Sequence, residues 1–404
     1  MIEAVEAVFQ AWKQSPDPAR SRPWPYYPAP RPDELLSSWF LRIAHGLGLK
    51  PYTLAHMTWR STPPLLTRDI DNFADPRIVG VMAAKTLTPV TRAWATTLAA
   101  YDGYLVDHYV PGGRNDWVLQ VGVRHRIRNL AGLQYCPGCL GETGYFKRAW
   151  RLGFVTCCPA HARRLLDRCD GCGGTLEPHR APVLHVCPRC GWDLRQAIAP
   201  MASRRALELQ TRTLSILERG WGHLGASIFS WSHLYFDSLR IIAKSLAFGP
   251  RSEVFRKAVV RRYGGDPSPY PYTKGRSLEH LGVADRHRLL DLVAAVLKQW
   301  PNRLVQTCKE ARVWRSWLLH DELNPPYAIE RVVADHLGHG FYKPSDAEIA
   351  AALTYLRNTG TTVTKETLRR WVGDCQAVTA IFKADARMRF EQLAEDLGLR
   401  RLGD

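Results

Sequence analysis

The chain has 404 residues, too many for one hydrophobic core, and its 46% hydrophobic content excludes a disordered polymer. A formal net charge of +17 favours a polyanionic partner, because arginine forks match phosphate oxygens, although a merely arginine-rich surface needs none. No run of about 18 apolar residues occurs, so no membrane span is expected, and the acidic start MIEAVEAVFQAWKQ has no signal pattern, so a cytoplasmic protein is expected.

Residues 1–32 read as an arm or linker, since SPDPARSRPWPYYPAPRP over 15–32 has too much proline for a helix. A helical domain is expected over 33–120. It opens on DELLSSWFLRIAHGLGLKPYTLAHMTW, where Leu36, Trp39, Phe40 and Ile43 recur at helical spacing. Gly46 and Gly48 break that helix and Pro51 opens the next, predicting a helix-turn-helix-like pair near 34–59. Packing units share that pattern with DNA readers. Short helices follow over 60–120, with a turn at PGGRNDW, 111–117.

Residues 121–198 form the chemically distinctive part. Arg124, Arg126 and Arg128 alternate in VRHRIRN, so a strand would line them on one face, as a phosphate grip or as a solvated edge. Eight of the ten cysteines then crowd into residues 136–190, and seven of them, with one histidine, fall into four pairs of one spacing: Cys136/Cys139, Cys158/His161, Cys169/Cys172 and Cys187/Cys190. Two intervening residues let a tight turn bring both side chains onto one ion, and an intracellular chain rarely uses so many cysteines as disulfides. Eight ligands suffice for two tetrahedral, structural Zn2+ ions. Cross-bracing would join alternate pairs. Consecutive pairing is favoured, because its loops of 18 and 14 residues suit zinc ribbons and ARRLLDR would make a short basic spacer helix.

Cys157, beside Cys158 in VTCCPAH, falls outside the Cys-Pro alignment and points to the other face of the apparent strand LGFVTC, so it reads as a bystander. A catalytic Cys–His pair is the weaker reading, because metal-bound thiolates make poor free nucleophiles. Cys308 and Cys375 stand alone and read as small buried hydrophobes. From 121 to 200 the balance of Lys/Arg over Asp/Glu is +7, and seven thiolates with two zinc ions leave about +4.

A second helical domain is expected over 199–404. LEHLGVADRHRLLDLVAAVLKQW reads as a long helix stopped by Pro301, and PPYAIERVVADHLG as a helix ending at Gly338. Residues 345–373 read as a helix-turn-helix. Ser345 and Glu348 make a capping box, Ile349, Leu353 and Leu356 the first apolar stripe, and Thr364 the second cap. Leu368, Trp371 and Val372 should face inward, leaving Lys365, Arg369 and Arg370 for a DNA groove. The fold class is therefore mainly α, with a small β-containing tandem zinc-ribbon module and helix-turn-helix elements in the N- and C-terminal parts. GxxxxGK[ST], HExxH and GxSxG are absent, so nothing argues for an enzyme.

PRPDELLSSWFLRIAHGLGL, YCPGCL, WRLGFVTCCPAH, LLDRCDGCGG and CPRCGW together resemble, in order, the opening signature and zinc module of the TniQ family, related to TnsD. The resemblance covers about 30–195. It implies a non-catalytic protein that selects or marks the target of DNA transposition and recruits an AAA+ ATPase, which brings a DDE transposase. It also implies a bacterial, nucleoid-associated location and the eight paired residues as zinc ligands. Some relatives dock as a dimer on a guide-RNA Cascade complex, which adds a CRISPR ribonucleoprotein and a homodimer to the implied partners. A zinc-supported nuclease is a third reading.

Overall fold

The computed structural model describes residues 1–17, 21–59, 65–124, 127–320, 324–338 and 345–372, together with 322 and 396. Cys375 and Arg126 lie outside the described residues, as do the side chains of Arg124, Lys365 and Arg369. Among the described residues the architecture is mainly helical, with three short two-stranded antiparallel hairpins.

The N-terminal helix Ile2–Lys13 buries Val5 and packs on the helix Pro76–Thr86. Gly80 permits the contact, since a Cβ there would meet the Val8 side chain at 2.7 Å and the Val5 carbonyl at 2.9 Å. The described residues 22–32 of the proline-rich stretch contain no helix or strand, and they are strapped down. Trp39 Nε1 donates to the Pro28 carbonyl at 2.8 Å, Arg92 to Pro30 at 2.7 Å and Lys85 to Arg22 at 2.9 Å.

Helices Leu36–Gly46 and Pro51–Thr58 form the expected pair, with Leu36, Trp39, Phe40 and Ile43 buried and Pro51 in the first turn of the second helix. Short helices Ile70–Phe73 and Val90–Trp94 follow, and Asn115 closes the 111–117 turn by bonding both backbone groups of Val110. Arg151, fully buried, lies 3.2 Å from Asp71 and also pairs with Asp69, while its guanidinium donates to the Leu119 carbonyl.

Helices Arg204–Arg219, Ser232–Ala247, Ser252–Tyr263, Val283–Leu297, Asn302–Ala311 and Tyr327–His336 build the rest of the same core, which runs from Val5 to Leu337. Cys308 is completely buried within it. One element there departs from the all-helical expectation. Gly222–Leu224 pairs with Ser227–Phe229 as a hairpin, with Gly225 at φ +57° in the turn. Leu224 and Phe229 point inward, a pattern too short to register as a strand beside long helices.

Helices Asp346–Asn358 and Lys365–Val372 have a small core of their own, made of Ile349, Ala352, Leu353, Leu356, Leu368 and Val372. The Ser345/Glu348 capping box is formed, and Thr364 Oγ1 accepts from the Thr367 amide at 3.0 Å. Trp371 is not inward. It is 55% exposed and lies against the exposed Tyr355, ring centroids 4.3 Å apart, because Leu368 and Val372 already fill the small core.

His287 joins three elements. Its Nε2 accepts from the Ser203 amide at 2.9 Å, so Nδ1 carries the proton toward Thr156 Oγ1 at 3.0 Å. Burial, aided by the charge of Arg164, pushes this imidazole down to about 4 from an ordinary 6.5. A histidine depressed in the folded state contributes stability that is complete above about pH 6.5 and is lost as pH falls toward 4. The urea midpoint of the wild type is therefore expected to drop more between pH 7 and pH 5 than that of His287→Gln, and equal drops would contradict this assignment.

Candidate metal centres

The four Cys/His pairs converge in two places. Cys136, Cys139, Cys158 and His161 form one cluster and Cys169, Cys172, Cys187 and Cys190 the other, with the ligand atoms in each within 4.8 Å of one another. This is consecutive pairing.

Cys136 sits at the N-terminus of the helix Pro137–Thr143, and Pro137 in its first turn fixes the bend that returns Cys139 beside it. The other half comes from a hairpin in which Cys157 and Cys158 pair with Arg164 and Arg163. Ala162 at φ +50° closes its turn and turns His161 back onto the sulfurs. Gly138 is needed here, because a Cβ would run into the His161 ring. His161 Nδ1 lies 3.5 Å from Cys136, 3.5 Å from Cys139 and 3.4 Å from Cys158, and the Cys139 and Cys158 sulfurs are 3.4 Å apart. One ring nitrogen cannot hydrogen-bond three thiols. Around a tetrahedral Zn2+ with bonds of about 2.0–2.3 Å, donor–donor edges are about 3.5–3.8 Å, so the donors are spaced for a shared cation. His161 Nε2 lies 3.1 Å from Glu142, which leaves Nδ1 free of hydrogen to ligate.

The second cluster is built from two matching turns. Cys169 and Cys187 each accept a backbone bond from a glycine four residues on, Gly173 at 2.8 Å and Gly191 at 2.9 Å, and both glycines have positive φ. The cross-pairs Cys169–Cys190 and Cys172–Cys187 are 3.6 and 3.8 Å apart, again tetrahedral edges. The two sites differ in cover. All three cysteines of the first are buried, whereas Cys172 and Cys190 of the second are exposed.

Cys157 faces away from the first cluster. Its sulfur lies 3.2 Å from Gln210 Oε1, and burial pushes its thiol up to about 12. The segment 162–168 is not the spacer helix its composition suggested. Arg163 and Arg164 are strand, Leu165 donates to the Thr156 carbonyl at 2.9 Å and Leu166 bridges to Tyr135. Its backbone is consumed by neighbours before a helical turn can close.

The three alternating arginines do not share one strand. Val123–Arg124 and Ile127–Arg128 are the two arms of a hairpin. Arg128 is buried, its guanidinium donating to the Leu176 carbonyl at 3.2 Å and its amide to Glu177 at 3.0 Å, and burial lowers its pKa to about 10. It staples the hairpin to the second cluster's ribbon and presents no charge to a partner.

Sequence reasoning missed Glu142, Gln210 and His287. Glu142 was findable once Cys136-Pro137 is read as a helix start, since it lies three residues beyond Cys139 on that helix. The other two lie more than 40 residues away and carry no local signal.

Residues 25–165 match the model of the TniQ family. This part of the chain is a TniQ domain. It contains the complete first cluster and ends before the second begins. The TniQ assignment associates the protein with transposition. The comparison with curated proteins returned no match. Among the described residues no helix is long and apolar enough to cross a membrane.

Two zinc ions per chain are expected by elemental analysis. Cys158→Ser should lose one ion, whereas Cys157→Ser should keep both; equal loss would refute the division of labour between these neighbours. Glu142→Gln should weaken metal retention at the first site by about 10–100-fold in chelator competition, leaving the second unchanged.

Proposed function

We propose that the protein is a non-catalytic adaptor of DNA transposition that selects or marks a target, recruits an AAA+ ATPase and through it engages a DDE transposase. The TniQ match over 25–165 supports this reading most directly. Cys136, Cys139, Cys158 and His161 would hold one Zn2+, and Cys169, Cys172, Cys187 and Cys190 a second. Each set supplies four protein donors, so zinc here serves folding and leaves no position for a substrate. The segments 1–32, 33–120, 121–198 and 199–404 are its working division along the sequence. Against the expectation from length, one core joins Val5 to Leu337, and the helix Ile2–Lys13 packs on Pro76–Thr86 instead of trailing as an arm.

DNA contact is assigned to the helix pair at 345–373, read as a helix-turn-helix whose second helix enters a groove. Arg370 is exposed on that helix, and Lys365 and Arg369 belong to it. Arg124 and Arg126 are retained as candidates, and Arg128 is not.

A second reading, a protein-docking adaptor for a ribonucleoprotein such as Cascade, is favoured by the N-terminal pair. The outer face of Pro51–Thr58 presents Tyr52 and Met57, 47% and 64% exposed, and the helix contains no Lys or Arg. Such a face suits protein, including a second copy, better than phosphate.

Fluorescence anisotropy on duplex DNA separates the two. Under the first reading the zinc-loaded protein binds naked duplex with a steep salt dependence, and Arg369→Ala/Arg370→Ala weakens binding about tenfold without changing the melting temperature. Binding that requires a ribonucleoprotein would favour the second.

A further inference from the structure

A second concentration of cations occurs outside the helix pair at 345–373 in sequence. Residues 251–263 and 298–312 contain nine Lys or Arg and two Glu. The helices they include, Ser252–Tyr263 and Asn302–Ala311, pack together. Three of their charges have clear local tasks. Arg256 is buried against the Leu246 carbonyl, Arg251 donates to the Ala311 carbonyl, and Lys257 pairs with Glu253 at 2.6 Å. The remainder are in surplus.

Glu310 serves two guanidinium groups at once, those of Arg261, at 3.0 Å and 70% exposed, and Arg262. Glu177 is likewise shared, by Arg180 and Arg189, whereas pairs such as Arg77–Asp75 and Arg195–Asp193 are one to one. Arg303 is positioned without being neutralised. It lies 4.4 Å over the Tyr263 ring and bonds only the neutral acceptors Gln299 Oε1 and the Ala295 carbonyl. Lys298, Lys309 and Arg312 are exposed and pair with no carboxylate among the described residues.

We propose that this face, centred on Lys298, Arg303, Lys309 and Arg312 with Arg261 and Arg262 beside them, is a track for the phosphate backbone of duplex DNA. The inference rests on the DNA-contacting reading above and adds a surface to it. Cations held in place with too few carboxylates are what a phosphate row neutralises, with release of its counterions. The chemistry favours duplex over single strands. Single strands are held by exposed aromatic platforms, whereas Tyr263 lies beneath Arg303 and Trp300 is buried. Lysine and arginine contacts to phosphates set register, with sequence read elsewhere, so the role is one of positioning.

The test uses the zinc-loaded full chain and a random-sequence duplex, with affinity measured across a salt series. Lys298→Glu/Lys309→Glu/Arg312→Glu should make the slope of log affinity against log salt shallower by about 2–3 and lower affinity at least about tenfold, with an unchanged melting temperature. Lys298→Arg/Lys309→Arg/Arg312→Lys should bind as the wild type does. A charge-matched control, Lys13→Glu/Lys50→Glu/Arg114→Glu, should lose much less; equal loss would show a net-charge effect and overturn the proposal. An unchanged slope in the first variant, while Arg369→Ala/Arg370→Ala still weakens binding, would remove this surface and leave the helix-pair reading intact. A wild-type protein with no affinity for duplex would sink both, as would a first-variant defect seen on single-stranded RNA with duplex binding intact sink this one.

Discussion

Of the backbone from Gly153 to Cys157 only the end at Cys157 lies in a hairpin, so side chains satisfy most of the rest, and the metal-bearing region depends on how this is done. Arg286 donates to the Gly153 carbonyl at 2.8 Å and Gln134 to Val155 at 3.1 Å. Gln210 accepts from the Thr156 and Cys157 amides at 2.7 and 3.0 Å and returns a bond to the Cys157 carbonyl at 2.7 Å. An unpaired buried peptide group costs about 1–3 kcal/mol, so one glutamine that meets three of them fixes the course of this segment. Cys158 follows directly. The position of the first metal site's second half is thus set by side chains of helices Arg204–Arg219 and Val283–Leu297, beyond the end of the TniQ match.

The same logic explains why several arginines are inside. Arg286 has no carboxylate; its three acceptors are the carbonyls of Leu281 and Gly153 and the amide oxygen of Gln134, and burial lowers it to about 10. Arg151 has two carboxylates and a carbonyl, and burial works against a charge that Asp69 and Asp71 preserve. Arg240 pairs with Glu279, whose burial would raise it but which Arg240, Ser277 and the Trp117 amide together hold at about 2. Each of these cations ties segments distant in sequence. A fair share of the net charge of +17 is therefore structural, and bulk charge overstates what is offered to a polyanion. The informative quantity is the local excess of exposed cations over carboxylates.

Legibility in the sequence followed the range of the interactions. The helix Leu36–Gly46, its partner opened by Pro51, and the Ser345/Glu348 cap were readable because spacing, proline geometry and capping act within a few residues. The eight donors were readable because a metal cluster imposes a rigid spacing on each half-site, and two half-sites then meet with little ambiguity. The failures were non-local. ARRLLDR has helical composition, but its backbone is taken by Tyr135, Thr156 and Pro200. The alternation of Arg124, Arg126 and Arg128 looked like one strand, but Arg124 and Arg128 lie on two antiparallel strands and Glu177, some 50 residues on, draws Arg128 inside. Trp371 looked like core by period, yet its helix is short and its small core was already full.

The two metal clusters also divide the region by mechanical role. The first is enclosed, with its cysteines buried and its histidine held by Glu142, and it lies where the TniQ domain meets the later helices. The second is a ribbon tip with two exposed thiols, attached through Arg128, Glu177 and Arg189. Between them Asp167 receives the Val283 amide at 2.8 Å, at the N-terminus of the helix that carries Arg286 and His287. A carboxylate there is favoured by the helix dipole, so the short connector is itself anchored. An ion at the first site would therefore brace the junction of the protein's two helical parts, and loss of it should propagate through Cys158, Cys157 and Gln210 into the helix Arg204–Arg219. An ion at the second would order the ribbon whose turns Leu194–Gln196 and Pro178–Arg180 pack on the helices Pro137–Thr143 and Leu36–Gly46.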